Sequence, residues 1–140
     1  MKKVFLLTIL AICCGCGRGN GPIRVAVAGD VAVDGTPIAE GSILFIPAPG
    51  TKGPVAGASI TGGRYSIAAA KGPCVGPYRV EIHGSQKTGR RVKVAGPQGP
   101  ASSIVDEIIE IVPAKYNTQS TLVADLKAGK NRLDFAIATK

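Results

Sequence analysis

The chain has 140 residues, 45% hydrophobic and 4% aromatic, with 17 Lys and Arg against 9 Asp and Glu for a formal charge of +8. That length and apolar content suffice for one buried core, read as one domain. A single histidine, four cysteines and no tryptophan leave little from which to build a metal centre or a sugar-stacking platform.

The chain opens with Lys2 and Lys3, an apolar run over residues 4–12, and then Cys13, Cys14, Gly15 and Cys16. A basic start, a short apolar core and a small-residue end are the parts of a secretory signal. The core is too short to cross a bilayer, which takes about 20 apolar residues. Residues 7–17 read LTILAICCGCG, which resembles a bacterial lipoprotein signal, where a cysteine after a small residue is acylated and becomes the mature N-terminus. Gly15 makes Cys16 the expected lipidation site, and Gly17 is not the aspartate that retains such proteins in an inner membrane. The alternative, a Cys-rich metal tract, lacks ligands, because only Cys74 and His83 remain elsewhere in the chain. Removal of residues 1–15 leaves 125 of the 140 and takes the charge from +8 to +6.

The domain boundaries expected are therefore 1–15 for the signal, 16–22 for the lipidated cysteine and a Gly-rich tether, and 23–140 for the folded domain. Cys74 is left without a partner, so no disulfide forms. Flanked by Gly, Pro and Val with no basic neighbour, it reads as an inert small core residue rather than a reactive thiol.

Beyond the tether the pattern has period two. Ile23, Val25, Val27, Val31 and Val33 share one strand face, and Asp34-Gly35 supplies a tight turn. Ile43-Leu44-Phe45-Ile46 before Pro47 reads as a strand buried on both sides. Tyr65 and Ile67, then Tyr78, Val80 and Ile82, alternate with polar residues as half-buried antiparallel strands do. Residues 84–103, rich in Gly, Pro, Lys and Arg, show no such pattern and are expected to form a loop. In the next stretch Ile104, Val105, Ile108, Ile109 and Val112 recur at helical spacing, so a short helix over 103–111 fits as well as a strand. Leu122, Ala124 and Leu126, the turn at Gly129-Lys130-Asn131, and Leu133, Phe135 and Ile137 read as a closing hairpin. The fold class is all-β, an antiparallel sandwich.

Several of these segments carry a resemblance. Val27-Ala28-Gly29-Asp30-Val31, Asp34-Gly35-Thr36-Pro37-Ile38 and Gly41-Ser42-Ile43-Leu44-Phe45-Ile46-Pro47 resemble the opening of carboxypeptidase regulatory-like domains. Gly63-Arg64-Tyr65 and Gly76-Pro77-Tyr78 are similar to that family's later strand starts, and Val112-Pro113-Ala114-Lys115-Tyr116-Asn117 with Ser120-Thr121-Leu122 resembles a lipoprotein subgroup. The resemblance implies a seven-stranded Greek-key, transthyretin-like sandwich and an accessory role, with no catalytic residues to carry over. The acidic turn frequent in the family is missing at Thr61-Gly62-Gly63, which removes any argument for a cation there.

Chemical motifs point the same way. His83 sits on the polar side of its strand without a second imidazole, and reads as an exposed strand residue. GSQKTGRR over 84–91 has the outline of a phosphate loop but carries arginine where lysine is required. Gly57-Ala58-Ser59-Ile60-Thr61 lacks the final glycine of a nucleophile elbow, and the several histidines of the transthyretin-like hydroxyisourate hydrolases are absent. Asp106, Glu107 and Glu110 read as a solvated face in preference to an acid/base pair.

No cofactor, no metal and no enzymatic activity is expected. Lys87, Arg90, Arg91 and Lys93 form the one concentrated basic cluster, a candidate contact for lipid head groups or anionic envelope polysaccharide, or simply a solvated basic loop. Nucleic acid is excluded as a partner by the expected envelope location and by the lack of aromatics among these charges. The function expected is a membrane-anchored, non-catalytic envelope module that contacts another envelope protein or the wall. The alternative is a carbohydrate-binding module, and the candidate for an exposed aromatic is Tyr116.

Overall fold

The computed structural model describes residues 21–96 and 99–140, so Cys16, the signal and most of the tether lie outside it. The described residues are all-β and mostly antiparallel, with ten strands where the resemblance implies seven: β1 (Ala26–Val33), β2 (Thr36–Pro37), β3 (Glu40–Pro47), β4 (Ala56–Thr61), β5 (Arg64–Ile67), β6 (Gly76–Gly96), β7 (Gly99–Glu110), β8 (Val123–Leu126), β9 (Lys130–Arg132) and β10 (Phe135–Ile137). They are joined in the order β10-β1-β5-β4-β3-β6-β7, with β2 and β9 added on β1 and β8 on β6.

β1 (Ala26–Val33) alternates as its sequence demands, burying Val27, Gly29 and Val31 in line with Val25 just before it. It ends in Asp34 and Gly35 at φ 47° and 81°, the paired positive values of a tight hairpin turn, from which β2 (Thr36–Pro37) folds back. β3 (Glu40–Pro47) is the central strand. Ile43 and Phe45 are fully buried, whereas Leu44 and Ile46 are only half-buried, so one face of this apolar run retains some contact with solvent. β4 (Ala56–Thr61) and β5 (Arg64–Ile67) are joined through Gly62 and Gly63, both at positive φ.

β6 spans Gly76–Gly96, and its first half pairs with β3 from Tyr78 opposite Pro47 to Ser85 opposite Glu40. Its second half pairs with β7 (Gly99–Glu110). The expected loop over 84–103 and the helical alternative for 103–111 are both overturned by this long hairpin. The aliphatic doublets at 104–105 and 108–109 place one residue on each side of a strand, and β-branched side chains favour that state.

The expected closing hairpin does not form either. β8 (Val123–Leu126) pairs with β6, while β9 (Lys130–Arg132) and β10 (Phe135–Ile137) run parallel to β1. The turn between β8 and β9 is closed by the Asn131 side chain, which bonds both the N–H and the carbonyl of Lys127 at 2.9 Å.

The core gathers Val25, Val27, Ile43, Phe45, Ile60, Tyr65, Tyr78, Val80, Ile82 and Leu126 from both ends of the strand order. Tyr65 bridges the Phe45 and Phe135 rings at 6.2 and 6.4 Å and donates its hydroxyl to the Leu133 carbonyl at 2.8 Å. Burial holds that hydroxyl protonated by raising its pKa well above the usual tyrosine value. The corner after β7 is fastened by buried Asn117, whose amide donates to the Val112 carbonyl at 2.9 Å, and by Ser120, which donates to the Val80 carbonyl.

Candidate functional site

β3 stops pairing with β6 at Ser85, but β7 continues along the other edge of β6 to Gly96. From residue 86 onward these two strands therefore leave the sheet as a two-stranded arm, roughly 36 Å long at about 3.3 Å per residue. Among the described residues, no strand pairs with the β6 edge on the side vacated by β3.

Register assigns the arm's two faces. The outer face continues Glu81 and His83 through Lys87, Arg91 and Lys93, opposite Ile108, Asp106 and Ile104. The inner face continues the core side of Val80 and Ile82 through Val92 and Val94, with Val105 and Ile109 from β7. Ile104 and Ile108 are 57% and 59% exposed, and Val94, Val105 and Ile109 are exposed as well. Apolar groups thus stand in solvent on both faces of one projection.

All four basic candidates lie on this arm. Lys87 pairs with Asp106 at 3.1 Å and Arg90 with Glu107 at 3.0 Å, while Arg91 and Lys93 make no ion pair among the described residues. Four cations on β6 thus face the three carboxylates Asp106, Glu107 and Glu110 on β7. The positive field that the sequence suggests is consequently confined to Arg91 and Lys93, beyond the irregularity between Lys87 and Arg91, where Gly89 adopts φ 82°.

Glu110 fixes the root of the arm. One carboxylate oxygen accepts the N–H groups of Gly84 at 2.8 Å and Val112 at 2.9 Å, and the other lies 3.1 Å from Nδ1 of His83. His83 is therefore half-buried and partnered, in place of the exposed residue expected. Glu110→Ala strands two backbone donors and is expected to cost about 1–2 kcal/mol. The measurement is amide hydrogen exchange, with faster exchange at Gly84 and Val112; unchanged protection there contradicts the assignment.

Ser59, Ser42 and His83 stand side by side across β4, β3 and β6, at the edge of an open depression that also includes Glu110. Nucleophilic catalysis requires the hydroxyl to hydrogen-bond the imidazole. No serine bonds His83 among the described residues. No three His, Cys, Asp or Glu side chains there converge on a metal position. Cys74 is free and buried, and its N–H donates to the Tyr78 hydroxyl at 2.9 Å. Phe45, Tyr65 and Tyr78 are core residues, while Tyr116 and Phe135 are half-buried against the core and Lys115 Nζ lies 5.0 Å from the centre of the Tyr116 ring.

The chain enters the domain at the far end from the arm. Val75 donates to the Ile23 carbonyl at 3.1 Å, Val25 donates to the Pro73 carbonyl at 2.9 Å, and Arg24 bridges Cys74, all beside the start of β6. Lys87 and Lys93 lie roughly 36 and 56 Å of strand contour beyond Gly76. Comparison with family models, curated proteins and solved structures finds no match to this chain.

Proposed function

We propose that this chain is a bacterial envelope lipoprotein, anchored through acylated Cys16 and carrying a non-catalytic interaction module that presents its arm away from the membrane. The observation that carries the anchor is the order basic start, apolar core, Gly15-Cys16 in residues 1–16. Each acyl methylene buried in a bilayer contributes about 0.8 kcal/mol, and more than one chain makes attachment stable. Residues 17–22 then span the gap to Ile23, and the outer membrane is favoured by Gly17.

The domain is read as a transthyretin-like, carboxypeptidase regulatory-like Greek-key sandwich, from which the second half of β6 and β7 depart together as an arm. Support comes from the alternating strands and from the tight turn at Asp34-Gly35, which falls within a resembling segment. Exposed aliphatics stand both on the arm and beside the tether, where Ile23 and Val75 are 67% and 41% exposed; the larger group on the arm, remote from the anchor, supports contact with another envelope protein.

Metabolic labelling with an alkyne-tagged fatty acid tests the anchor. The wild-type chain, Cys13→Ala and Cys14→Ala incorporate label, and Cys16→Ala loses it completely. Label that survives Cys16→Ala overturns the assignment.

A further inference from the structure

We infer that the free edge of β6 over residues 91–95 is a strand-addition site for an extended segment of another protein in which carboxylates alternate with aliphatic residues. This deepens the interaction-module reading and rests on it. An unpaired strand edge offers a row of backbone N–H and C=O groups that a partner strand can satisfy. Here the edge begins where β3 ends, at Glu40 opposite Ser85, so an added strand continues the track of β3.

Side-chain chemistry selects the occupant. Past the irregular stretch at 88–90, Arg91 and Lys93 project on the outer face and Val92 and Val94 on the inner one. The matching strand carries acids on the first side and aliphatics on the second. The chain's own β7 supplies part of such a match on the opposite edge, setting Asp106 across from Arg91 and Val105 across from Val92, but it leaves Lys93 across from Ile104 with no acid. At the root of the free edge, Val33, Ala39 and Ile111 together with Glu40, Lys87 and Glu110 line an open cleft of about 770 Å³, room for more than one residue at that end of the segment.

A second copy of this chain fits neither edge by pairing like with like; the remaining pairing, β6 of one copy against the outer edge of β7 of another, joins copies head to tail and is read in the test as self-association. Antiparallel pairing of β6 with β6 sets its cations against cations, and pairing β7 with β7 sets Asp106, Glu107 and Glu110 against one another. Like charges directly opposite are destabilising, and charged edges are how sheets avoid joining their own kind. The same charges admit an acidic strand.

The test uses the full chain carrying Cys16→Ser and two blocked peptides as long as residues 87–95, one alternating glutamate with valine and the other alternating lysine with valine. The glutamate peptide binds, and its addition slows amide exchange at every second residue over 91–95. The double variant Arg91→Glu, Lys93→Glu loses about tenfold in affinity for it and gains affinity for the lysine peptide. This reversal in a folded protein separates the charge match from damage to the fold. Equal binding of both peptides, binding that ignores the reversal, association of the chain with itself in preference to peptide, or binding to anionic phospholipid vesicles abolished by the same variant each overturn the inference. Fatty-acid labelling at Cys16 is read independently, so failure here leaves the anchor standing.

Discussion

Tyr78→Ala is expected to abolish folding or leave the domain barely stable. The ring is fully buried at the centre of the core, and its hydroxyl accepts the Cys74 N–H at 2.9 Å. Truncating a buried aromatic to alanine costs about 3–5 kcal/mol, a large part of the roughly 5–15 kcal/mol that holds an ordinary domain together. Tyr78→Phe separates the two contributions. It keeps the packing and strands only the Cys74 donor, for about 1–3 kcal/mol. Urea unfolding followed by circular dichroism orders the three proteins wild type, Phe, Ala; equal midpoints for Phe and Ala contradict the packing argument.

Gly29→Ala is the second large effect, and it arises from closeness of approach rather than from backbone angle. A Cβ at position 29 falls 1.8 Å from the Leu133 carbonyl oxygen and 2.9 Å from the Asp134 carboxylate. Neither can retreat freely. Leu133 donates to the Ala28 carbonyl at 2.9 Å and accepts from the Tyr65 hydroxyl, while Asp134 accepts the Asp30 N–H at 2.8 Å. Making room breaks these bonds together, at about 3 kcal/mol or more. Gly35→Ala is the comparison, because nothing lies within 4 Å of its added carbon and only the φ of 81° resists. That change costs about 1 kcal/mol. Thermal melts in which Gly35→Ala falls further than Gly29→Ala refute the crossing geometry.

Alternation made much of the domain legible. Val25 to Val31, Tyr65 with Ile67, and Tyr78 with Val80 and Ile82 each bury the face their spacing indicates, because a half-buried strand writes its burial directly into its sequence. The turn at Asp34-Gly35 was equally readable, since few residues tolerate paired positive φ.

The arm was hidden for a physical reason. Neither of its faces is buried by the domain, so alternation is confined to the short run Arg91 to Val94, and the register shift between Lys87 and Arg91 puts that run out of phase with the strand before it. Ile104-Val105 and Ile108-Ile109 are apolar on both faces, and four-residue spacing of such doublets imitates a helix. The parallel partners of β1 were hidden by the reach of the interaction. Adjacency in sequence suggested that the segments around Gly129 pair with each other, and nothing local announces that β9 and β10 cross to β1, some hundred residues away.

The basic cluster shows how charge read along a chain differs from charge in space. Lys87 and Arg90 are answered by Asp106 and Glu107 across the arm, leaving Arg91 and Lys93 as the pair with electrostatic work to do. His83 follows the same logic. Its partner Glu110 is 27 residues away, and only the β6–β7 pairing brings them together.

The most direct test of the account is the intact mass of the protein purified from its native cells. A chain beginning at residue 16, heavier than its 125-residue polypeptide by a diacylglyceryl group and an N-linked fatty acid, is the result predicted. A polypeptide beginning at Met1, or a mature chain whose Cys16 carries no lipid, contradicts it.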